Sequence, residues 1–173
     1  DVLQDADSMS FTAIMETIAP TKTYLGEESD GMFPVYWSEG DKIWSGSAQS
    51  DAATINPDGS ASFSFATEPT ETVYYNMTGT TAVTAVVPAE QDVSKTLGEN
   101  GDFGYAPVSN GSFKLQHATA YLWFDVRSSI PNTRLEWVKL DAGDVNIAGK
   151  AAWNGSEFGD VTDGYTTVKL VVQ

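Results

Sequence analysis

The stretch from Lys22 to Ile43 reads KTYLGEESDGMFPVYWSEGDKI, and its pattern decides the fold class of the chain. Aromatic and β-branched residues fill short runs at Thr21–Leu25 and Phe33–Trp37, and a third run begins at Lys42. Gly- and Asp-containing turns separate the runs, among them the acidic turn Ser38–Asp41. Such runs between such turns are typical of antiparallel β-strands. The stretch therefore predicts a β-scaffold, and it contains no catalytic motif.

Alternation of apolar and polar residues extends this pattern along the chain, as expected for strands that bury one face. The further predicted strands are Met9–Met15, Ser60–Ala66, Thr72–Met77, Ala82–Val87, Ala118–Arg127, Arg134–Asp141, Val145–Trp153 and Thr166–Val172. A helical turn or two is predicted only for Ala89–Leu97. Short strands separated by turn residues at this spacing predict an all-β fold, an antiparallel β-sandwich.

The domain organisation follows from the length and from the composition of the first residues. A chain of 173 residues is expected to form about one domain with a sizeable core. Asp1–Ser8 is polar and acidic and predicts a flexible leader. Residues 9–173 show no internal repeat or linker, so they predict a single β-sandwich domain.

Charge and composition exclude several classes of function. The net charge is −15, with 24 Asp and Glu residues against nine Lys and Arg residues. A chain with this balance has no basic surface for nucleic acid and is repelled by anionic lipid headgroups. It has no cysteine, which excludes thiolate zinc sites, catalytic cysteines and disulfides. No apolar run approaches the length of about 18 residues that a membrane-spanning helix needs.

The sequence predicts no catalytic, metal-binding or cofactor-binding residues. His117 is the only histidine, so a histidine-rich metal site cannot form, and no G-x-S-x-G motif presents a serine nucleophile. Acidic residues in turns, such as Asp160 and Asp163, lack the spacing of a calcium-binding EF-hand loop. The sequence therefore favours a protein that is not an enzyme.

Tryptophans are the candidate ligand-binding residues. Trp37, Trp44 and Trp123 could form a stacking surface for glycans, since Trp123 lies on the strand face opposite Leu122 and Phe124. The alternative is that these rings belong to the core, because tryptophan is highly buried on average.

Five segments, taken in order, carry a family resemblance. They are KTYLG with PVYWSEGDKI, then VPAEQ (Val87–Gln91), DFGYA (Asp102–Ala106), FKLQHATAYLWFDV (Phe113–Val126), and LEWVKLD with NIAGKAAW (Leu135–Trp153). Together they cover nearly the whole chain. The chain resembles the N-terminal domain of the fimbrillin family, which comprises lipoprotein subunits of type V pili and related surface adhesins of Gram-negative anaerobes.

The resemblance implies a transthyretin-like Greek-key β-sandwich without catalytic activity. It implies export as a lipoprotein to the outer membrane and cell surface, and a role in cell adhesion as an adhesin or a component of a pilus (fimbria). Membrane contact would be made only through an N-terminal lipid anchor, which this sequence does not contain. His117 matches a histidine that precedes the family's long central strand, which implies a role in packing and hydrogen bonding.

The resemblance also implies partners, namely other pilus or surface subunits bound by β-strand exchange. The first predicted strand is the candidate exchange segment, with Met9, Phe11, Ala13 and Met15 on its apolar face. The alternative function is a carbohydrate-binding accessory domain of a surface glycan-acquisition system. Exposed aromatic clusters would favour the alternative, and an unpaired strand edge would favour the subunit.

Overall fold

The computed structural model describes residues 24–25, 35–66, 72–77, 83–109, 111–122, 124 and 126–172. These residues form strands and turns and contain no helix. The strands are β1 (Tyr24–Leu25), β2 (Val35–Tyr36), β3 (Ile43–Ser45), β4 (Ala48–Gln49), β5 (Thr54–Ile55), β6 (Ala61–Ser62), β7 (Thr72–Tyr75), β8 (Thr84–Val87), β9 (Glu90–Asp92), β10 (Gly104–Pro107), β11 (Gln116–His117), β12 (Trp137–Asp141), β13 (Ala148–Ala152), β14 (Thr162–Tyr165) and β15 (Thr167–Val171).

The strands form several small sheets. The largest has the order β11-β10-β7-β3-β4, and two three-stranded sheets have the orders β12-β15-β9 and β14-β13-β8. Two-stranded pairs are formed by β1 with β2 and by β5 with β6. Strands β8 and β9 follow each other in the chain but belong to different sheets, with Pro88 between them. All pairings are antiparallel except that of β9 with β15.

The turn predicted at Ser38–Asp41 closes on itself through its acidic residue. The Ser38 amide donates to Asp41 Oδ2 at 2.8 Å, and the Asp41 amide donates to the Ser38 carbonyl at 3.1 Å. Gly40 has a φ of 98°, which a side chain would strain. Both Ser38 and Asp41 are buried, so this turn forms part of the interior.

Two apolar clusters form the described core. One contains Trp37, Ile43, Val73, Tyr75, Ala106 and Leu115, and it lies on the five-stranded sheet. The other contains Met77, Ala85, Phe103 and Trp153 and joins that sheet to the β13-β8 pair. The predicted all-β class is confirmed, and sheets layered around apolar clusters accord with a β-sandwich. The transthyretin-like Greek-key order stays a prediction.

The helical turn predicted at Ala89–Leu97 is wrong. Strand β9 forms there instead and pairs in parallel with β15, with Gln91 opposite Leu170. The strand ends at Asp92, whose Oδ1 accepts from the Ser94 amide at 2.8 Å and from the Ser94 hydroxyl at 2.7 Å. The Asp92 side chain thus supplies a hydrogen-bond acceptor for the Ser94 backbone amide, and such local bonding competes with helix formation.

The long strand predicted at Ala118–Arg127 is also not observed in its described part. Strand β11 ends at His117, and residues 118–122, 124 and 126–127 lie outside any strand. Among the described residues, β12 pairs with β15 and not with the segment that follows β11. The predicted leader and the predicted strand Met9–Met15 lie outside the described residues. No helix in the described ranges has the length and apolar character to span a membrane.

Candidate functional site

An apolar cavity lies between the two three-stranded sheets and the segment that follows β11. Its volume is about 540 Å³, which falls within the range of about 300–1,000 Å³ that ligand pockets occupy. One wall comes from Ala85, Ala148 and Ala151, and another from β12 and β15. The segment after β11 closes the third side. Its lining includes Ala118, Thr119, Ala120, Tyr121, Leu122 and Phe124.

Asp102 is one of several polar residues that line the apolar cavity, and its side chain is enclosed. Asp102 is 3% exposed, and its Oδ1 accepts from the Thr119 hydroxyl at 2.8 Å. The same oxygen lies 2.8 Å from His117 Nδ1. Asp102 Oδ2 is buried and has no hydrogen-bond partner among the described residues. Because a buried acceptor without a donor is costly, this oxygen is an unfavourable group in the interior.

Strand pairing and one amide side chain hold these groups in place. Gly104 pairs with His117 in the β10–β11 register, which brings the residue preceding Phe103 next to the end of β11. Asn76 Nδ2 donates to the Gly98 carbonyl and to the Asp102 carbonyl, both at 2.7 Å. Thr119 also accepts from the Phe103 amide at 3.2 Å. The Asp102 carboxylate is therefore fixed from both neighbouring strands.

The Asp102–His117 pair has the geometry of an oriented histidine, but none of the described residues places a nucleophile at the other ring nitrogen. The side chains of His117 and Asp102 are 6% and 0% exposed. His117 Nε2 is buried and has no hydrogen-bond partner in the described part of the chain, whereas a catalytic histidine would hold a serine or threonine hydroxyl there. The nearby Tyr121 hydroxyl lies 3.3 Å from Nδ1, on the Asp102 side of the ring. This arrangement supports the predicted packing role of His117.

The environment of Asp102 also affects the Tyr121 hydroxyl. Withdrawal of the hydroxyl from solvent raises the pKa of Tyr121 far above its ordinary value, and the negative charge and hydrogen bonding of Asp102 raise this pKa further. The residue as a whole is 43% exposed, although its hydroxyl lies 3.3 Å from His117 Nδ1. Tyr121 therefore connects the surface to the buried carboxylate.

A second, aromatic cavity of about 580 Å³ lies at the other end of the five-stranded sheet. Its aromatic lining consists of Trp37, Phe63, Phe65 and Phe113, and its polar lining includes Asn56, Ser60 and Ser62. Trp37 packs edge-on against Phe63, with ring centres 5.0 Å apart. Aromatic rings next to amide and hydroxyl groups can contact both faces of a sugar.

The structure separates the tryptophans predicted to stack on glycans. Trp37 is 7% exposed and belongs to the core, although it lines the aromatic cavity. Trp44 is half-buried and packs against the second core cluster. Trp123 lies outside the described residues. The most exposed of the described tryptophans is Trp137, at 51%, and the sequence pattern did not single it out.

The segment after β11 exposes apolar side chains. Leu122 is 63% exposed, Phe124 is 42% exposed and Val126 is 55% exposed. We call these three residues the apolar strip. They have the period-two pattern of a strand, yet they pair with no strand in the described part of the chain. The candidate exchange residues Met9, Phe11, Ala13 and Met15 lie outside it.

Sequence reasoning missed Asp102, Thr119 and Tyr121 as members of one site. A lone aspartate after a glycine-rich loop carries no motif, and only the β10–β11 pairing brings it to His117. Two of the segments that carry the family resemblance contain these residues. DFGYA contains Asp102, and FKLQHATAYLWFDV contains His117, Thr119 and Tyr121. In the described residues, no group of three or more His, Cys, Asp or Glu side chains is placed to hold a metal ion.

The described fold and site define an all-β domain with an apolar cavity, an aromatic cavity and an unpaired apolar strip. No protein-family model matches the chain, and neither a curated protein nor a solved structure matches it.

Proposed function

We propose that this chain is a non-catalytic cell-surface protein of fimbrillin type that acts in cell adhesion as an adhesin or pilus component. Its partners would be other surface subunits, bound by β-strand pairing rather than through a catalytic pocket. The observation that carries the proposal is the apolar strip, a segment with strand sequence, exposed apolar side chains and no strand partner among the described residues.

The apolar strip is energetically unfavourable when it is left exposed. Full burial of a Leu, Phe or Val side chain contributes about 1.5–3 kcal/mol. An unpaired strand also presents backbone donors and acceptors that another strand can satisfy. A partner strand laid along residues 120–126 would bury the strip and complete the wall of the apolar cavity.

The segment Met9–Met15 has the sequence expected of such a partner strand. Its apolar residues alternate with polar ones, so one face would cover the strip while the other met solvent. Export as a lipoprotein and location at the outer membrane belong to the same proposal and rest on the sequence resemblance. The high negative charge and lack of cysteine are compatible with them.

A labelled peptide tests strand pairing. A fluorescent peptide of residues 9–16 is titrated with the full chain and with the chain lacking residues 1–16, and anisotropy is measured. We expect saturable binding that is tighter to the shortened chain, because its own segment no longer competes. A control peptide with Ser in place of Met9, Phe11 and Met15 should not bind. Equal binding of the two peptides, or none by either protein, would contradict the proposal.

The second candidate function is glycan binding by an accessory domain of a surface glycan-acquisition system. The observation that favours it is the aromatic cavity, where Asn56 Nδ2 donates to Ser60 Oγ at 2.9 Å beside Phe63 and Phe113. A glycan array with the full chain and with Phe63→Ala tests this function. Binding that the variant loses, together with indifference to the peptide, would replace the first proposal.

A further inference from the structure

The sequence contains Asn–Gly pairs whose environments differ in the structure. The pairs are Asn100–Gly101, Asn110–Gly111 and Asn154–Gly155, and Asn110 lies outside the described residues. An asparagine before glycine can lose its side-chain amide, because the glycine nitrogen has no neighbouring Cβ to hinder its attack on the amide carbon. The surroundings of each asparagine therefore decide which pair reacts.

Asn154 begins a tight turn that leads out of β13. The flanking residues Trp153 and Phe158 form a β-bridge, and the Asn154 backbone amide donates to the Glu157 carbonyl at 3.1 Å. Residues 154–157 are all exposed, so water reaches the turn. The turn thus fixes the backbone on both sides of the Asn154 side chain while leaving that side chain at the surface.

Three donors converge on the side-chain oxygen of Asn154. Its Oδ1 accepts from the Ser156 amide at 2.9 Å, from the Glu157 amide at 2.9 Å and from the Ser156 hydroxyl at 3.0 Å. Attack on Asn154 Cγ places negative charge on this oxygen, and donors already aimed at such an oxygen lower the barrier. Asn154 Nδ2 donates to Glu157 Oε1 at 3.4 Å, so a carboxyl oxygen faces the nitrogen that would leave.

The side chain of Asn100 is held in a different way. Its Oδ1 accepts from the Asp92 amide at 3.0 Å, and its Nδ2 donates to the Asp92 carbonyl at 2.9 Å. The Gly101 amide, which would be the nucleophile, donates to the Gly98 carbonyl at 3.0 Å. Asn100 is also half-buried. Reaction there would break the contacts that tie the loop to the end of β9, so the fold protects this pair.

We propose that Asn154 is a site of spontaneous covalent modification, at which the turn promotes loss of the side-chain amide. The Gly155 nitrogen gives up its proton to solvent and forms a bond to Asn154 Cγ. The Cγ–Nδ2 bond then breaks, and the nitrogen takes a proton from water and leaves as ammonia. Water opens the resulting succinimide ring at either carbonyl, which yields aspartate or isoaspartate at position 154.

The isoaspartate product alters the packing next to the turn. It routes the main chain through the former side-chain carbons and lengthens the link between Trp153 and Phe158. The rings of these two residues pack edge-on with centres 5.0 Å apart, and both contact Phe103 in the second core cluster. The modification therefore adds a carboxyl group at the surface and weakens an aromatic contact of the core.

Peptide mapping of the aged chain tests the proposal. The full chain and a free peptide of residues 151–160 are incubated at pH 8 and 37 °C, and mass spectrometry follows the gain of about 1 Da at each asparagine. Tryptic cleavage after Lys150 and Lys169 isolates Asn154 in a fragment with no other asparagine or glutamine. An unaged sample corrects for reaction during digestion, and fragmentation spectra separate Asn100 from Asn110.

The expected order of rates follows from the donors. Asn154 in the chain should react at least about threefold faster than in the free peptide and at least about tenfold faster than Asn100. A rate at Asn154 no higher than that in the free peptide, or equal rates at Asn154 and Asn100, overturns the proposal. Both comparisons use the wild-type chain, so they decide the question even where a variant does not fold.

A pair of hydroxyl deletions tests the role of the donors. Ser156→Ala removes one donor to Asn154 Oδ1 and should slow the reaction at least about twofold. Thr162→Ala removes an exposed hydroxyl that donates instead to the Lys150 carbonyl, and it should leave the rate unchanged. Circular dichroism verifies that both variants fold. An unchanged rate in folded Ser156→Ala, or equal slowing by the two substitutions, overturns the proposal.

Discussion

Single residues decide how the loop before β10 meets the end of β8. Gly101 has a φ of 100°, and a Cβ built there would lie 2.8 Å from Val87 Cα and 2.9 Å from Pro88 Cδ. Val87 Cα is a backbone atom and Pro88 Cδ belongs to a proline ring, so neither atom can be displaced at low energetic cost. The position therefore needs glycine for two reasons, conformation and space, and it holds Asp102 next to the apolar cavity.

Gly101→Ala should destabilise the chain by about 2–4 kcal/mol, because positive φ and overpacking add. Gly143→Ala is the matched control, since Gly143 has a φ of 66° but no atom within 4 Å of the added Cβ. The control should cost only about 1–2 kcal/mol. Urea unfolding of both variants measures the difference. Equal losses in the two variants would show that the loop does not pack against Val87 and Pro88 as described.

His117→Gln should lower the unfolding free energy by about 1–3 kcal/mol, because it disturbs the bond to the buried Asp102 carboxylate. Gln116→Ala changes the exposed neighbour on the same strand and should have an effect within about 0.5 kcal/mol. Thermal melts of both variants provide the measurement. An unchanged melt for His117→Gln, or a hydrolytic activity that disappears while the fold survives, would refute the packing role of His117.

Stability above pH 10 should depend on Tyr121. The folded-state pKa of Tyr121 lies above its unfolded value of about 10 because the hydroxyl is withdrawn from solvent and faces Asp102. The unfolded chain therefore loses this proton first, so the stabilisation is complete below pH 10 and is lost as the pH rises beyond it. Between pH 9 and pH 11 the melting temperature of Tyr121→Phe should fall less than that of the wild type. Tyr165→Phe, at an exposed position, should fall as much as the wild type.

At the scale of the element, the main contrast is between strands that are paired and a strand sequence that is not. Strand β15 lies between β12 and β9 and uses both edges, with Leu170 opposite Val138 and Gln91. Residues 120–122 have an equally strong strand pattern but no strand partner in the described part of the chain. Tertiary pairing, and not local propensity, therefore separates the two elements.

Proline substitution measures this contrast. Leu122→Pro should change the stability of the chain lacking residues 1–16 by less than about 1 kcal/mol, because no strand hydrogen bond is lost. Leu170→Pro should cost about 3 kcal/mol or more, because it removes a ladder bond in a central strand. The two variants are compared by chemical denaturation. A Leu122→Pro variant as damaged as Leu170→Pro would mean that the segment is already paired in the folded chain.

The same contrast explains how far the sequence could predict the structure. Runs such as Thr72–Met77 and Thr166–Val172 were predicted as strands, and β7 and β15 lie within them, because alternation and β-branched residues report burial of a local face. The failure at Ala89–Leu97 has a local cause, since one Asp–Ser turn and a parallel partner outweighed a weak helical pattern. The candidate site could not be predicted, because Asp102 reaches His117 only through the non-local register of β10 and β11.

At the scale of the whole molecule, net charge opposes association between copies of the chain, and exposed apolar surface favours it. A net charge of −15 keeps copies of the chain apart, while the exposed apolar strip favours association. Long-range repulsion is screened by salt over about 8 Å at physiological ionic strength, whereas backbone pairing acts only at contact. Association through a strand should therefore strengthen when salt is raised.

Hydrogen exchange of the backbone amides at residues 120–126 tests the central claim most directly. The chain lacking residues 1–16 is incubated at 150 mM NaCl with and without the peptide of residues 9–16, and exchange is followed by mass spectrometry. We expect rapid exchange in this segment without the peptide and strong protection with it, while amides of β15 stay protected in both samples. An exchange rate in residues 120–126 that the peptide leaves unchanged would contradict the claim that this strip binds a partner strand.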